Sequence, residues 1–172
     1  MTLVVEDGTG LANAESYISV ANASAYFAAR NNTNWPSTDL PTCEAALRSA
    51  TDYMVGLYRM RWAGFRTSQA QALDWPRSFC PRPDLVGGYY GFPNYYATNV
   101  VPIEVAQACA ELALRYVVNG DLAPDVERVE QSVKVGPIEV AYAEGSTPLV
   151  TFTAVSRKLA PFFGTGGTKA VR

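Results

Sequence analysis

From Ser19 onward the chain sets apolar residues at Val20, Ala23, Tyr26 and Phe27, the three-and-four spacing of one helix face. Ser19 is placed to cap that helix, and Arg30-Asn31-Asn32 to end it. After a proline-flanked turn over residues 35–41, Thr42 is placed to cap a second helix running to about Tyr58. Its inner face reads Cys43, Ala46, Leu47, Ala50, Met54 and Leu57, while Glu44, Arg48 and Asp52 form successive i,i+4 pairs outside. A third helix runs from Ile103 to Asn119, with Pro102 at its start and Gly120 just past its end. Val105, Ala106, Cys109, Ala110, Leu112, Ala113, Tyr116 and Val117 point inward, and Glu104, Glu111 and Arg115 share a solvated stripe.

Beyond residues 121–124 the period switches to two, over 129–135 and again over 138–142, and Gly136-Pro137 between them predicts a β-hairpin. A last helix is expected over about 151–159, ending before Pro161. At the other end, Leu3-Val4-Val5 and the turn-rich Glu6–Asn13 stretch read as an extended arm and a loop. The fold class is therefore mainly α: a small helical bundle with a β-hairpin, a long irregular aromatic loop and extended termini. Its 172 residues are expected to form one domain, with 59–101 as a long loop insertion and 162–172 as a glycine-rich flexible tail. Within the insertion Trp75, Phe79, Tyr89, Tyr90, Phe92, Tyr95 and Tyr96 are interrupted by prolines and glycines, a composition suited to lying on a partner surface.

Composition narrows the chemistry. The chain has no histidine, the commonest general base and metal ligand at neutral pH, and its three lysines lie in no Ser-Lys signature. The expectation is a protein without catalytic residues, cofactor or metal. Gly8-Thr9-Gly10 suggests a phosphate-cradling loop, yet no Gly-Lys-Ser/Thr or G-x-G-x-x-G pattern follows. Cys43, Cys80 and Cys109 are an odd number at wide spacing, which fits neither a disulfide framework nor a zinc site, and Cys43 and Cys109 read as small core residues. No apolar run is long enough to cross a bilayer and no signal-peptide pattern opens the chain, so a cytosolic protein with no membrane partner is expected. The net charge of −2 argues against a protein built to bind nucleic acid, and Arg77 and Arg82 alone accompany the aromatics of residues 75–96.

Four segments carry a family resemblance: residues 4–17 (VVEDGTGLANAESY), 71–77 (QALDWPR), 101–105 (VPIEV) and 134–140 (KVGPIEV). In this order, over most of the chain, they resemble the head-to-tail connector (adaptor) proteins of tailed bacteriophages, whose members also carry the label of DnaT-like single-stranded-DNA-binding protein. The resemblance implies a structural virion protein of the neck, assembled in the bacterial host cytoplasm. It would form a homo-oligomeric ring, expected to be a dodecamer, below the portal protein. That ring would meet a tail-side neck or tail terminator protein and let genomic double-stranded DNA pass without sequence-specific binding. The alternative it leaves open is the single-stranded-DNA-binding protein. Candidate interface residues are Trp75, Arg77, Tyr89, Tyr90, Phe92, Tyr95 and Tyr96 in the loop, and Phe162, Phe163, Lys169 and Arg172 in the tail; Trp75 and Phe162 suit the core equally well.

Overall fold

A computed structural model describes residues 2–37, 39–82, 84–85, 94–123, 132–135, 138–141 and 152–164. The fold is mainly helical: α1 (Val20–Ala28), α2 (Leu40–Tyr58), α3 (Ile103–Asn119) and α4 (Thr153–Leu159), the last running into a 3₁₀ turn, Ala160–Phe162. Between α2 and α3 lie two short antiparallel strands, β1 (Phe65–Arg66) and β2 (Arg77–Ser78), with Phe65 opposite Ser78 and Arg66 opposite Arg77. The expected hairpin is present in its strands, β3 (Ser132–Val135) and β4 (Ile138–Ala141), paired antiparallel with Val133 opposite Val140.

The pair α2 and α3 forms the centre of the domain, and small residues explain why. Ala46, Ala50, Ala108 and Ala113 are wholly buried and let the helix backbones approach closely. Thr51, buried on α2, donates its hydroxyl to the Leu47 carbonyl at 2.8 Å, satisfying a polar group within its own helix, and lies 3.3 Å from Cys109 Sγ on α3. Ser19 Oγ accepts the Asn22 N–H and caps α1 as expected, while Phe27 packs against Trp35 at a ring separation of 5.1 Å. Gly120 closes α3 at φ +80°, the left-handed conformation expected of a glycine there.

Two expectations shift by a turn or less. Helix α2 begins at Leu40 and is capped by Asp39, whose carboxylate accepts both the Thr42 N–H at 3.3 Å and its hydroxyl at 2.6 Å. Pro41 sits in the first turn, where its missing N–H would have had no helical partner. At the other end of α2 Tyr58 takes the core position and Leu57 is 46% exposed, because the step from Met54 is four residues rather than three. Helix α4 ends at Leu159, before Pro161 as expected, and Pro161 lies in the 3₁₀ turn that carries Phe162 into the core.

The N-terminal segment is folded onto the domain. Val5 bridges Ser16, Leu3 N–H donates to Glu44, and Glu15 pairs with Arg48 at 3.1 Å. At its centre the buried Glu6 carboxylate accepts the backbone N–H groups of Gly8, Gly10 and Leu11 at 2.8–2.9 Å. The loop that resembles a phosphate cradle therefore wraps an anion supplied by the chain itself. Gly8 adopts φ +100°, and a Cβ there would strike the Asn99 carbonyl, so the loop is also docked on the approach to α3.

Two outcomes follow. Glu6→Ala leaves one buried and two partly buried donors without their acceptor and should lower stability by about 2–3 kcal/mol, read as a shift of the urea midpoint. All three cysteines are buried, and burial pushes the Cys80 thiol up to about 11. In the folded protein none of the three should react with a thiol reagent at pH 8, and all three should react after unfolding; one rapidly alkylated cysteine would contradict this core.

Candidate functional site

The connection from α2 to α3 is not a loose insertion. Trp62, Ala63, Leu73, Trp75 and Cys80 are buried, and a polar network holds the segment between them. The buried Gln71 amide donates to the Leu73 and Pro76 carbonyls at 2.8 and 3.1 Å, and its Oε1 accepts the Ser68 N–H. Asp74, also buried, accepts from Arg59 Nε at 2.9 Å, and its own N–H donates to the Tyr17 hydroxyl. The buried Arg77 donates to three main-chain carbonyls: Ala63 at 2.8 Å, Gly64 at 2.7 Å and Asp74 at 3.1 Å. A guanidinium is the side chain for this task, since its planar fork presents five donors in fixed directions.

Those bonds decide the fate of several candidate interface residues. Trp75 is fully buried, its ring edge-on to Trp62, Tyr96 and Phe162 at 5.6–6.3 Å. Arg77 serves the backbone and Phe162 is 1% exposed, so these three belong to the interior of the subunit. Aromatic bulk and closely spaced backbone polar groups draw them inward together. Tyr96 is half-buried against Phe162, and Phe163 stacks on Tyr58 at 5.4 Å. Residues 162–164 are anchored rather than free: Ala63 N–H donates to the Phe162 carbonyl and Gly164 N–H to the Arg61 carbonyl. Tyr89, Tyr90, Phe92, Lys169 and Arg172 lie outside the described residues.

The segment between α2 and α3 also carries exposed rings and arginines. Phe79 and Tyr95, 66% and 46% exposed, meet edge-to-face at 5.8 Å. Beside them β1 carries Phe65, 72% exposed, and Arg66. Arg61 lies over the Phe163 ring at 4.3 Å and Arg82 over Tyr96 at 4.9 Å. The Nε atoms of Arg66 and Arg82 are buried without a hydrogen-bond partner, and both side chains are half-buried. Met60, the most exposed large apolar residue among those described, lies next to Arg61.

Arg61, Phe65 and Arg66 were not among the sequence candidates, although a signal was available. Residues 59–82 hold Arg59, Arg61, Arg66, Arg77 and Arg82 against a single carboxylate, Asp74. Asp74 is neutralised by Arg59, which leaves Arg61, Arg66 and Arg82 as the outward cations and Asp84 as the one exposed carboxylate nearby in sequence. The overall charge of −2 conceals this segregation. The Glu104/Glu111 stripe also differs from expectation: Glu111 accepts from the Tyr26 hydroxyl at 2.8 Å and pairs with Arg115 at 3.1 Å, so it binds helices together. Among the described residues no cluster of histidine, cysteine and carboxylate could hold a metal, and no helix is long and apolar enough to cross a membrane.

Arg77→Ala should destabilise the protein by about 3 kcal/mol or more, because three carbonyls lose their donor at once. Arg77→Lys should recover less than half of that loss in the same denaturation experiment, since one ammonium cannot span the three acceptors.

Comparison with known proteins gives one match. The family described as "Putative DnaT-like ssDNA binding protein" matches residues 1–172. No curated protein and no solved structure matches the chain.

Proposed function

The chain belongs to the family of DnaT-like single-stranded-DNA-binding proteins, and from that membership and the face around β1 and β2 we propose that it binds single-stranded DNA without sequence preference. The observation that carries the reading is that the segment between α2 and α3 supplies both exposed rings and cations. Phe65, Phe79 and Tyr95 offer exposed rings, and Arg61, Arg66 and Arg82 come from the same segment. Unpaired bases stack on such rings whatever their identity, and guanidiniums neutralise the phosphates between them. A duplex hides its base faces in the stack and would leave these rings unused. The platform is stiff, since Arg77 ties the backbone before β1 to the segment that carries β2. Little ordering entropy is then lost on binding.

This predicts salt-sensitive binding of a fluorescent oligo(dT) of about 20 nucleotides, measured by anisotropy, with log K falling against log salt at a slope of about −2 for three phosphate contacts. Phe79→Ala should weaken binding by about 1–3 kcal/mol, and Arg66→Ala should flatten the slope by about 0.7 while both variants keep the wild-type melting temperature. Binding that ignores salt, or that survives both substitutions, would overturn the proposal.

One observation also favours the head-to-tail connector reading. Met60, Phe65 and Phe79 are large apolar residues left exposed, of the kind found at subunit interfaces. If that face joins ring subunits or a portal, light scattering will give the mass of a multimer or a stoichiometric portal complex, and the oligonucleotide will not bind. A monomer that binds oligo(dT) decides for the first reading.

A further inference from the structure

A second concave surface lies away from the β1–β2 face and shares no residue with it. It is a groove of about 550 Å³ between the N-terminal segment, α1 and the start of α3, within the range that small-molecule sites occupy. Ile18, Val101, Ile103 and Ala106 give it apolar walls, and Ile103 is 66% exposed at its rim. Its polar groups are segregated. Asp7 and Asn99 line it before α3 begins, whereas Gln107 lines it one turn into α3 and Tyr26 lines it near the end of α1.

The two polar ends have opposite character. Asp7 Oδ1 accepts the N–H and hydroxyl of Thr9, bonds that hold the carboxyl below its ordinary pKa, and Oδ2 takes no hydrogen bond among the described residues. At the other end Lys158 of α4, itself outside the groove lining, donates to the Tyr26 hydroxyl at 3.2 Å and to Gln107 Oε1 at 3.1 Å. Two of its three donors are thus used. Arg30 stacks over the Tyr26 ring at 3.6 Å. Two carboxylates lie near this cluster: Glu111, bonded to Tyr26 and Arg115, and Glu104 in the first turn of α3. The groove therefore runs from a free carboxylate oxygen, across apolar walls, to Tyr26 and Gln107, with Lys158 bonded to both and Arg30 stacked on Tyr26 at its edge.

We propose that this groove binds a deoxynucleotide bearing a terminal phosphate, with the base between the apolar walls, its exocyclic amine on Asp7, and the phosphate against Lys158 and Arg30. The chemistry matches at each position. A carboxylate accepts from the amino group of cytosine, a planar base suits an apolar slot, and a phosphate monoester pairs with an ammonium and a guanidinium. Thymine lacks the exocyclic amine, so amino-bearing bases are favoured. The same chemistry is offered by a free nucleotide and by the 5′-phosphorylated end of a strand.

The test is titration of the full chain with dCMP, dTMP and deoxycytidine, followed by amide chemical shifts. Shifts should appear at Ile103 and Gln107, and dCMP should bind about tenfold more tightly than either deoxycytidine or dTMP. Lys158→Ala should bring dCMP down to the level of deoxycytidine, and Asp7→Asn, at a fully exposed position, should remove the preference over dTMP. Equal binding of dCMP and deoxycytidine, or no groove shifts up to about 10 mM ligand, would overturn the assignment. A short oligonucleotide with a 5′-phosphorylated cytidine competes in a further arm. Tighter binding than dCMP assigns the groove to a strand end, and weaker binding to the free nucleotide. Phe79→Ala should leave dCMP binding intact, so failure here and failure of the oligonucleotide platform are separate results.

Discussion

The Arg77 guanidinium is the constraint on which the architecture between α2 and α3 depends. It bonds the carbonyls of Ala63 and Gly64 on one side and of Asp74 on the other. Two stretches of irregular backbone are thereby held side by side where two-residue strands alone would not hold them. Gly64, at φ +70°, lets the chain pass so close to the Ser78 carbonyl that any Cβ there would collide with it. Asp74 carries the constraint back to α2 through Arg59 and to the N-terminal segment through the Tyr17 hydroxyl. Trp75, the residue between these polar anchors, is then fixed in the core, and Trp62, Tyr96 and Phe162 close around it.

Buried charge organises the N-terminal segment in the same way. Glu6 costs desolvation energy that only several strong hydrogen bonds can offset, and the glycine loop supplies three. Leu11, the last of those donors, also gives its carbonyl to the Ala72 N–H. The two buried polar networks, around Glu6 and around Arg77, are therefore coupled through one short stretch of backbone. Substitutions in either should perturb the other, and their effects on stability should not simply add.

The helices were legible in the sequence because their signals are local. Ser19 caps α1, Pro102 and Gly120 bracket α3, and the apolar period marks each inner face. The α2–α3 connection was read as a loop because its order comes from long-range contacts without a period. Gln71, Asp74 and Arg77 look like surface residues until their acceptors, which are main-chain carbonyls, are placed in space. The same blindness made Trp75, Arg77 and Phe162 candidates for an interface. Aromatic and arginine residues are favoured both at interfaces and in densely hydrogen-bonded cores, and only burial separates the two.

Charge was misleading for a different reason. A sum over the chain treats every ion as equally exposed, yet Asp74 is buried and neutralised by Arg59, and Glu111 is shared between Tyr26 and Arg115. Removing such internal carboxylates from the tally leaves Arg61, Arg66 and Arg82 with few opposing charges nearby in sequence. The field that a ligand meets is set by these residual, exposed groups within about a Debye length of it. An acidic chain can thus carry a locally basic segment, and here Arg61, Arg66 and Arg82 lie in the same stretch of chain as the exposed Phe65 and Phe79.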